Sequence, residues 1–277
     1  MSAAAIRLFV SDIDGTLVRH DKSLSDANVA AAKRLTAAGI AMSLISSRPP
    51  SGMLWIAAKL DLADRSRPFN GGTLFDASGR VLSAARLDED LAAACIKLFS
   101  SRVECWVYAG SRWYVPNGEN HHIARERLSA GVEPELRRDF SGHAHRVDKI
   151  VGVSDDSAVL DGLEGEARGR FGPRANIVRS QPYYLDVTAP AANKGDGVAA
   201  IAAVFGVSLD SVAVAGDMDN DLPMFARAGT SIAMGQASAA VRGAADFVSA
   251  ANDEDGVAKA IDQRLLPTGE GSTRVEP

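Results

Sequence analysis

Cysteine is scarce in this chain: Cys95 and Cys105 are the two in 277 residues. A protein of that length has a core large enough to fold without a staple, so both are read as buried, reduced thiols and not as a disulfide scaffold. Long apolar runs are missing too. Each hydrophobic stretch is broken by Arg, Asp or Gly before it reaches the length of a membrane span, so no membrane is expected as a partner. The opening Met1-Ser2-Ala3-Ala4-Ala5-Ile6 has neither the basic nor the long apolar segment of a leader peptide, and cytoplasmic residence is expected. Positive charge is in deficit, with a formal net charge of −5, which argues against nucleic acid, whose phosphates favour basic faces. Neither a Walker-type lysine loop nor a dinucleotide glycine fingerprint occurs.

What is present is an alternation of short apolar strands and helical segments. Ile6 to Ser11 reads as a strand, Ser25 as the cap of a helix to Ala38 stopped by Gly39, and Ile40 to Ile45 as a second, parallel strand. A helix over Ser51 to Leu60 and a hairpin turn at Asn70-Gly71-Gly72-Thr73 follow. From about Ser83 to Thr188 the texture changes: all four Tyr, two of the three Trp and four of the five His lie there. Predicted strands at Val103, Arg112, Val147, Asn176 and Tyr183 alternate there with helices near Glu89, Asn117 and Ser157, which reads as a separate α+β module. Helix and strand patterns of the first kind resume at Lys194, with a helix over Asp219 to Ala228 and a last one over Asp253 to Leu265. The expected fold is therefore α/β, a doubly wound parallel-sheet core formed by 1–82 and 189–266 with an inserted α+β cap over 83–188. Residues 267–277 carry almost nothing to bury and read as a disordered tail.

Chemistry concentrates where the core strands end. Asp12 follows the first strand, Ser46 ends the second, and Asp217 follows the strand Ser211–Ala215. Open α/β sheets bind ligands beyond the carboxyl ends of their strands, so these three segments should converge. Any one of the acids alone would be an ordinary helix cap, whereas three at one sheet edge point to a site. Asp12, Asp14, Asp217 and Asp221 crowded into one crevice would repel each other unless they surround a cation. Hard oxygen ligands with room for water suit Mg²⁺. A calcium loop starting at Asp217 fails, because its sixth position is Leu222 where Gly is required and its twelfth is Ala228 where a bidentate Glu belongs. The pair His121-His122 has no acid or Cys at metal spacing and reads as exposed cap residues.

Asp12-Ile-Asp14-Gly15-Thr16, Ser46, Asn193-Lys194-Gly195 and Gly216-Asp217-Met218-Asp219-Asn220-Asp221, in that order, resemble the four motifs of the haloacid dehalogenase superfamily, and most closely its Cof-type branch (subfamily IIB) with a large inserted C2-type cap. The resemblance implies a phosphatase that works through an aspartyl-phosphate on Asp12. It assigns Asp14 as the acid and then the base, and places Asp12, Asp14 (through its carbonyl), Asp217, Asn220 and Asp221 around Mg²⁺. Gly15, Ser46, Ser47 and Lys194, with Asp14, would hold the phosphoryl group. The family usually follows the serine with Gly-Arg; here it is Ser47-Arg48, which puts in doubt the backbone path after Ser46.

The substrate implied is a small phosphorylated metabolite, often a sugar phosphate, read by the cap. Arg179, Gln181, Tyr183 and Tyr184 are the candidate contacts, with Lys149 and His122 beside them. A sugar phosphomutase on the same fold, or a catalytically silent phospholigand-binding protein, stands as the alternative. The chain is expected to act as a monomer or a homodimer.

Overall fold

A computed structural model describes residues 4–62, 69–75, 81–110, 112–140 and 144–266. The tail expected over 267–277 lies outside the described residues. The chain opens with β1 (Leu8–Ser11), α1 (Asp26–Ala37), β2 (Ala41–Leu44) and α2 (Ser51–Lys59), followed by the antiparallel pair β3 (Thr73–Phe75) and β4 (Val81–Ala84). Then come α3 (Glu89–Ser100), β5 (Glu104–Ala109), β6 (Arg112–Val115), α4 (His122–Ala130), β7 (Pro134–Leu136), β8 (Val147–Val153), α5 (Ser157–Phe171), β9 (Asn176–Gln181) and β10 (Tyr184–Thr188). The last stretch runs α6 (Lys194–Phe205), β11 (Val212–Gly216), α7 (Leu222–Phe225), β12 (Thr230–Ala233), α8 (Ala239–Gly243), β13 (Phe247–Val248) and α9 (Gly256–Ala260).

Two sheets organise the molecule. The core sheet is parallel, in the order β13-β12-β11-β1-β2, with β1 between β2 and β11. Its strands are covered on both faces. Phe9 of β1 faces a cluster with Leu35 of α1, Ile56 of α2 and Val257 of α9, while Leu8 and Val10 face Ile201 of α6, Met224 of α7 and Val241 of α8. Period-two alternation between two apolar faces is what makes these strands read as continuous hydrophobic runs. The second sheet, β7-β6-β5-β8-β10-β9, belongs to the cap region. Helices α3 and α5 pack on one face of it, and the other is an aromatic layer of Trp106, Tyr108, Trp113 and Tyr184. Both cysteines are free and buried, with burial pushing each thiol up to about 12. No described helix is long and apolar enough to cross a membrane.

Local chemistry explains where the elements depart from the sequence pattern. Ser25 caps α1 through its hydroxyl, as expected. The Asn70-Gly71 turn is not the hairpin turn: Asn70 sits in the left-handed region (φ 55°) of a short turn that precedes β3, and the β3–β4 connection falls at 76–80, outside the described residues. Helix α4 begins at His122, five residues later than the pattern suggests. The side chains of Asn117 and Asn120 accept from the amides of Glu119 and His122 and hold the approach as turns. The segment after Asp219 is a single 3₁₀ turn followed by the short α7, and the expected last helix is interrupted at Asp255, whose φ is +58°.

Candidate active site

The core sheet reverses its winding between β1 and β11, and the two strand ends at that switch point carry Asp12 and Asp217. Asp12 continues the ladder, its amide donating to Ala215 O. The loop after β11 folds back so that the Asp221 carboxylate accepts from the amides of Asp217 and Met218 at 2.8 and 2.9 Å. Lys194 enters from a third direction. Asn193 caps α6 by accepting from the Asp196 amide, which sets Lys194 as the first residue of the helix. Its Nζ reaches Asp12 at 2.7 Å and Asp221 at 2.5 Å.

The metal-ligand test is met by the donor set. Carboxylate oxygens of Asp12, Asp217 and Asp221 lie within 4.8 Å of one another and are buried. Burial pushes the Asp12 carboxyl up to about 7, and the charges of Asp221 and Asp14 add to this against the opposing pull of Lys194. Burial beside Asp12 and Asp221 holds Asp217 well above the usual carboxylate range. One lysine thus leaves the acids undercompensated, and a divalent cation would supply the missing charge. The buried Asn220 Oδ1 has no hydrogen-bond partner, which marks a further oxygen for a cation or its water. Gly15 (φ +78°) completes the fit, since a Cβ there would lie 2.2 Å from Asp217 Oδ2. Thr16 donates to Asp217 at 3.1 Å.

Asp14 is placed otherwise than an acid would be. Arg48 grips it with two nitrogens at 2.7 and 2.9 Å, and Lys22 approaches at 2.5 Å. Burial opposes its charge, yet Arg48 and Lys22 hold the carboxyl well below the usual range, in the ionised form of a base. Arg48 is itself buried and donates also to Gly52 O at 2.9 Å. Sequence reasoning treated Arg48 as the remainder of an altered motif. The sign that it mattered was that the arginine is retained where the preceding glycine is not. Ser46 is fully buried at the end of β2, and its Oγ accepts from the Arg48 amide at 3.2 Å. Ser47 turns its carbonyl to Lys149 of the cap, which donates at 3.0 Å.

The cap residues separate into those that face the crevice and those that do not. Gln181 and Tyr183 line two cavities between cap and core, the larger of which holds about 240 Å³ and reaches Gly15 and Asp217. Tyr184 borders only the smaller one and is packed into the aromatic layer, its ring 5.5 Å from Trp106. Arg179 is placed elsewhere: it is tied to Asp161 at 2.7 Å and to Glu164 at 3.3 Å on α5 and lines neither of these cavities. Of the pair His121-His122, read as exposed residues without an acid, His121 is exposed and His122 is not, and an acid meets both. His122 is buried, stacks on Tyr183 at 4.1 Å, and meets Asp155 at 2.8 Å, while His121 meets the same carboxylate at 3.3 Å. Asp155 comes from the β8–α5 loop and is remote in sequence. Asn70 is a further residue missed as a site member. Its side chain donates to Asp186 of β10 at 3.3 Å and accepts from Asn220 at 3.1 Å, linking the cap sheet to the metal-side loop.

Comparison with known proteins bears on the family. The family model for haloacid dehalogenase-like hydrolases matches residues 9–261. A 5-amino-6-(5-phospho-D-ribitylamino)uracil phosphatase of Bacillus subtilis is 27% identical over 277 residues, covering 92% of this chain and 96% of its own. An HMP-PP phosphatase of Cronobacter sakazakii is 28% identical over 232 residues, covering 83% and 85%. The solved structure of a subclass IIB sugar phosphatase of the same superfamily superposes with a TM-score of 0.80 at 27% identity, covering 92% of this chain and 98% of its own.

Proposed function

The chain belongs to the haloacid dehalogenase-like hydrolases and is a phosphatase of that family; from this we propose that it is Mg²⁺-dependent and hydrolyses small phosphorylated metabolites, sugar phosphates among them, through an aspartyl-phosphate on Asp12. The observation that carries the reading is Lys194 Nζ, buried between Asp12 and Asp221 beside Asp217 at the switch point of the sheet.

Asp12, Asp217 and Asp221, with Asn220, would hold the metal. When bound, the cation supplies the positive charge that lets a phosphoryl dianion enter this acidic crevice and draws electron density from its oxygens. A carboxylate oxygen of Asp12 attacks phosphorus, and the ester P–O bond breaks as the leaving oxygen takes up a proton. Water then attacks the aspartyl-phosphate, gives its proton to a base, and releases inorganic phosphate and free Asp12. Lys194 neutralises charge on the transferring group and orients Asp12. Ser46 supplies a hydroxyl to a phosphoryl oxygen. Asp14 in its ionised form is suited to accept the proton from water. To serve first as the acid it must take up a proton against the hold of both Arg48 and Lys22. The cap covers the crevice and reads the leaving group.

The test is turnover of a panel of phosphorylated sugars and p-nitrophenyl phosphate, with Mg²⁺ and with excess chelator, for the wild type and Asp12→Asn. Chelation should abolish hydrolysis and Mg²⁺ restore it, with Ca²⁺ failing to substitute because it prefers more ligands at longer distances. Asp12→Asn should fold and lose more than about 10³-fold in kcat, roughly 4 kcal/mol of barrier. Full activity in chelator, or a variant within tenfold of wild type, would overturn the metal or the nucleophile respectively.

A further inference from the structure

The larger cavity holds more positive charge than the phosphoryl site accounts for. Arg19, Lys22 and Arg125 line it, with Asp217 as its one carboxylate, and Asp217 belongs to the metal group. Arg19 is paired with Asp255 at 3.0 Å, and Lys22 meets Asp14 at 2.5 Å, a carboxylate it shares with Arg48. Arg125, on α4 of the cap, has no carboxylate partner among the described residues. Its nitrogens meet the His20 ring at 3.4 to 3.5 Å and the His20 carbonyl at 3.3 Å, and its buried Nε has no hydrogen-bond partner. The same guanidinium borders the smaller cavity beside Lys22, Gln181 and Tyr183.

We propose that the substrate's leaving group carries a second anionic group, a carboxylate or a phosphate, and that Arg125 binds it. A guanidinium is a planar fork matched to two oxygens of either group, and one left uncompensated inside a cavity is poised for an anion that arrives with the ligand. The transferring phosphoryl group does not fill this role, because Lys194 and the metal ligands that receive it surround Asp12. Lys22 lines the same two cavities but is held to Asp14 at 2.5 Å. The proposal rests on the phosphatase reading for its geometry. The competing use of Arg125 is a latch, since its bond to the His20 carbonyl crosses from cap to core, and a latch would serve all substrates equally.

The experiment compares matched esters. Glycerol 3-phosphate and 3-phosphoglycerate differ by a carboxylate on the leaving group, and fructose 6-phosphate and fructose 1,6-bisphosphate by a second phosphate. For the wild type, kcat/KM should favour the anionic member of at least one pair by about ten- to hundredfold, the range of a charged hydrogen bond. Which pair responds tells carboxylate from phosphate. Arg125→Ala should remove that preference while leaving the neutral members and p-nitrophenyl phosphate within about threefold, and Arg125→Lys should restore part of it. Absence of preference in both wild-type pairs, or an equal loss on every ester in Arg125→Ala, would overturn the proposal. If the wild type hydrolyses none of these esters, the proposed substrate class fails separately. The proposal is then read from calorimetric affinities for the same pairs: a preference abolished by Arg125→Ala upholds it, and equal affinities overturn it.

Discussion

Asp14 shows how one carboxyl is set by its neighbours. Arg48 and Lys22 keep it ionised against the cost of burial, so its folded pKa lies below the unfolded one. The sign follows from linkage. The group contributes stability above its unfolded value near 4, and that contribution is lost as pH falls through the lower folded value. Arg48→Met removes the bidentate partner and leaves Lys22, so the Asp14 carboxyl should rise. The acid limb of the kcat/KM profile should move to higher pH, and stability should fall by about 2–3 kcal/mol, since a buried pair would lose one member. A pH–rate profile and a denaturant titration of the variant check both; an unmoved acid limb would show that Asp14 is not the titrating base. The sequence placed Asp14 in the site through its position after β1. It could not show the hold of Arg48, which is 34 residues away and reaches Asp14 only across the fold.

At the scale of elements, the cap is docked on the core through α2 and α4. Ser51 donates to Ala130 O at 2.6 Å, and a Cβ on Gly52 would lie 1.9 Å from Ser129 O. The glycine lets a helix N-terminus approach the carbonyls at the end of its neighbour, which no side chain permits. Gly52→Ala should therefore displace α4 from α2 and lower kcat/KM on every ester by about tenfold or more, while Mg²⁺ still raises the melting temperature because the acids stay in place. Loss confined to one substrate would contradict a docking role. Helix α2 itself was legible in the sequence to within a residue. Its contact with α4 was not, because nothing periodic in either helix encodes which partner it meets.

The whole molecule is organised around two main sheets. If the core holds the phosphoryl group and the cap reads the rest, Lys194→Ala should depress all substrates alike, whereas Tyr183→Ala should change discrimination among them by about 1–3 kcal/mol. Arg179→Ala should leave discrimination alone and cost about 1 kcal/mol, because its shorter ion pair is to the mostly exposed Asp161 and the one to Glu164 is long at 3.3 Å. Specificity constants across several esters test this, and uniform losses in the Tyr183 variant would move recognition out of the cap. The acid cluster adds a pH dependence of its own. In metal-free protein Asp12 has its folded pKa raised to about 7, so its contribution to stability is full below its unfolded value near 4 and is lost as pH rises through about 7. If the cluster holds Mg²⁺ as proposed, the ion binds the ionised form, so the rise in melting temperature on adding Mg²⁺ should be larger at pH 8 than at pH 5. An equal or reversed rise would show that the cluster does not hold the ion.

The sequence by itself determined the alternation of apolar strands and helices, the change of texture at the cap, and the gathering of Asp12, Ser46 and Asp217 at one sheet edge. These follow from local pattern, because a buried parallel strand needs apolar residues on both faces and its carboxyl end must open on the ligand side. Only the tertiary structure decided that Arg179 turns to α5 while Arg125 keeps its guanidinium in the cavity, and that Asp155 lies against His121 and His122. A charged side chain goes where the nearest opposite charge or open cavity is. That is a property of distances between segments far apart in the chain, and no spacing along it carries them.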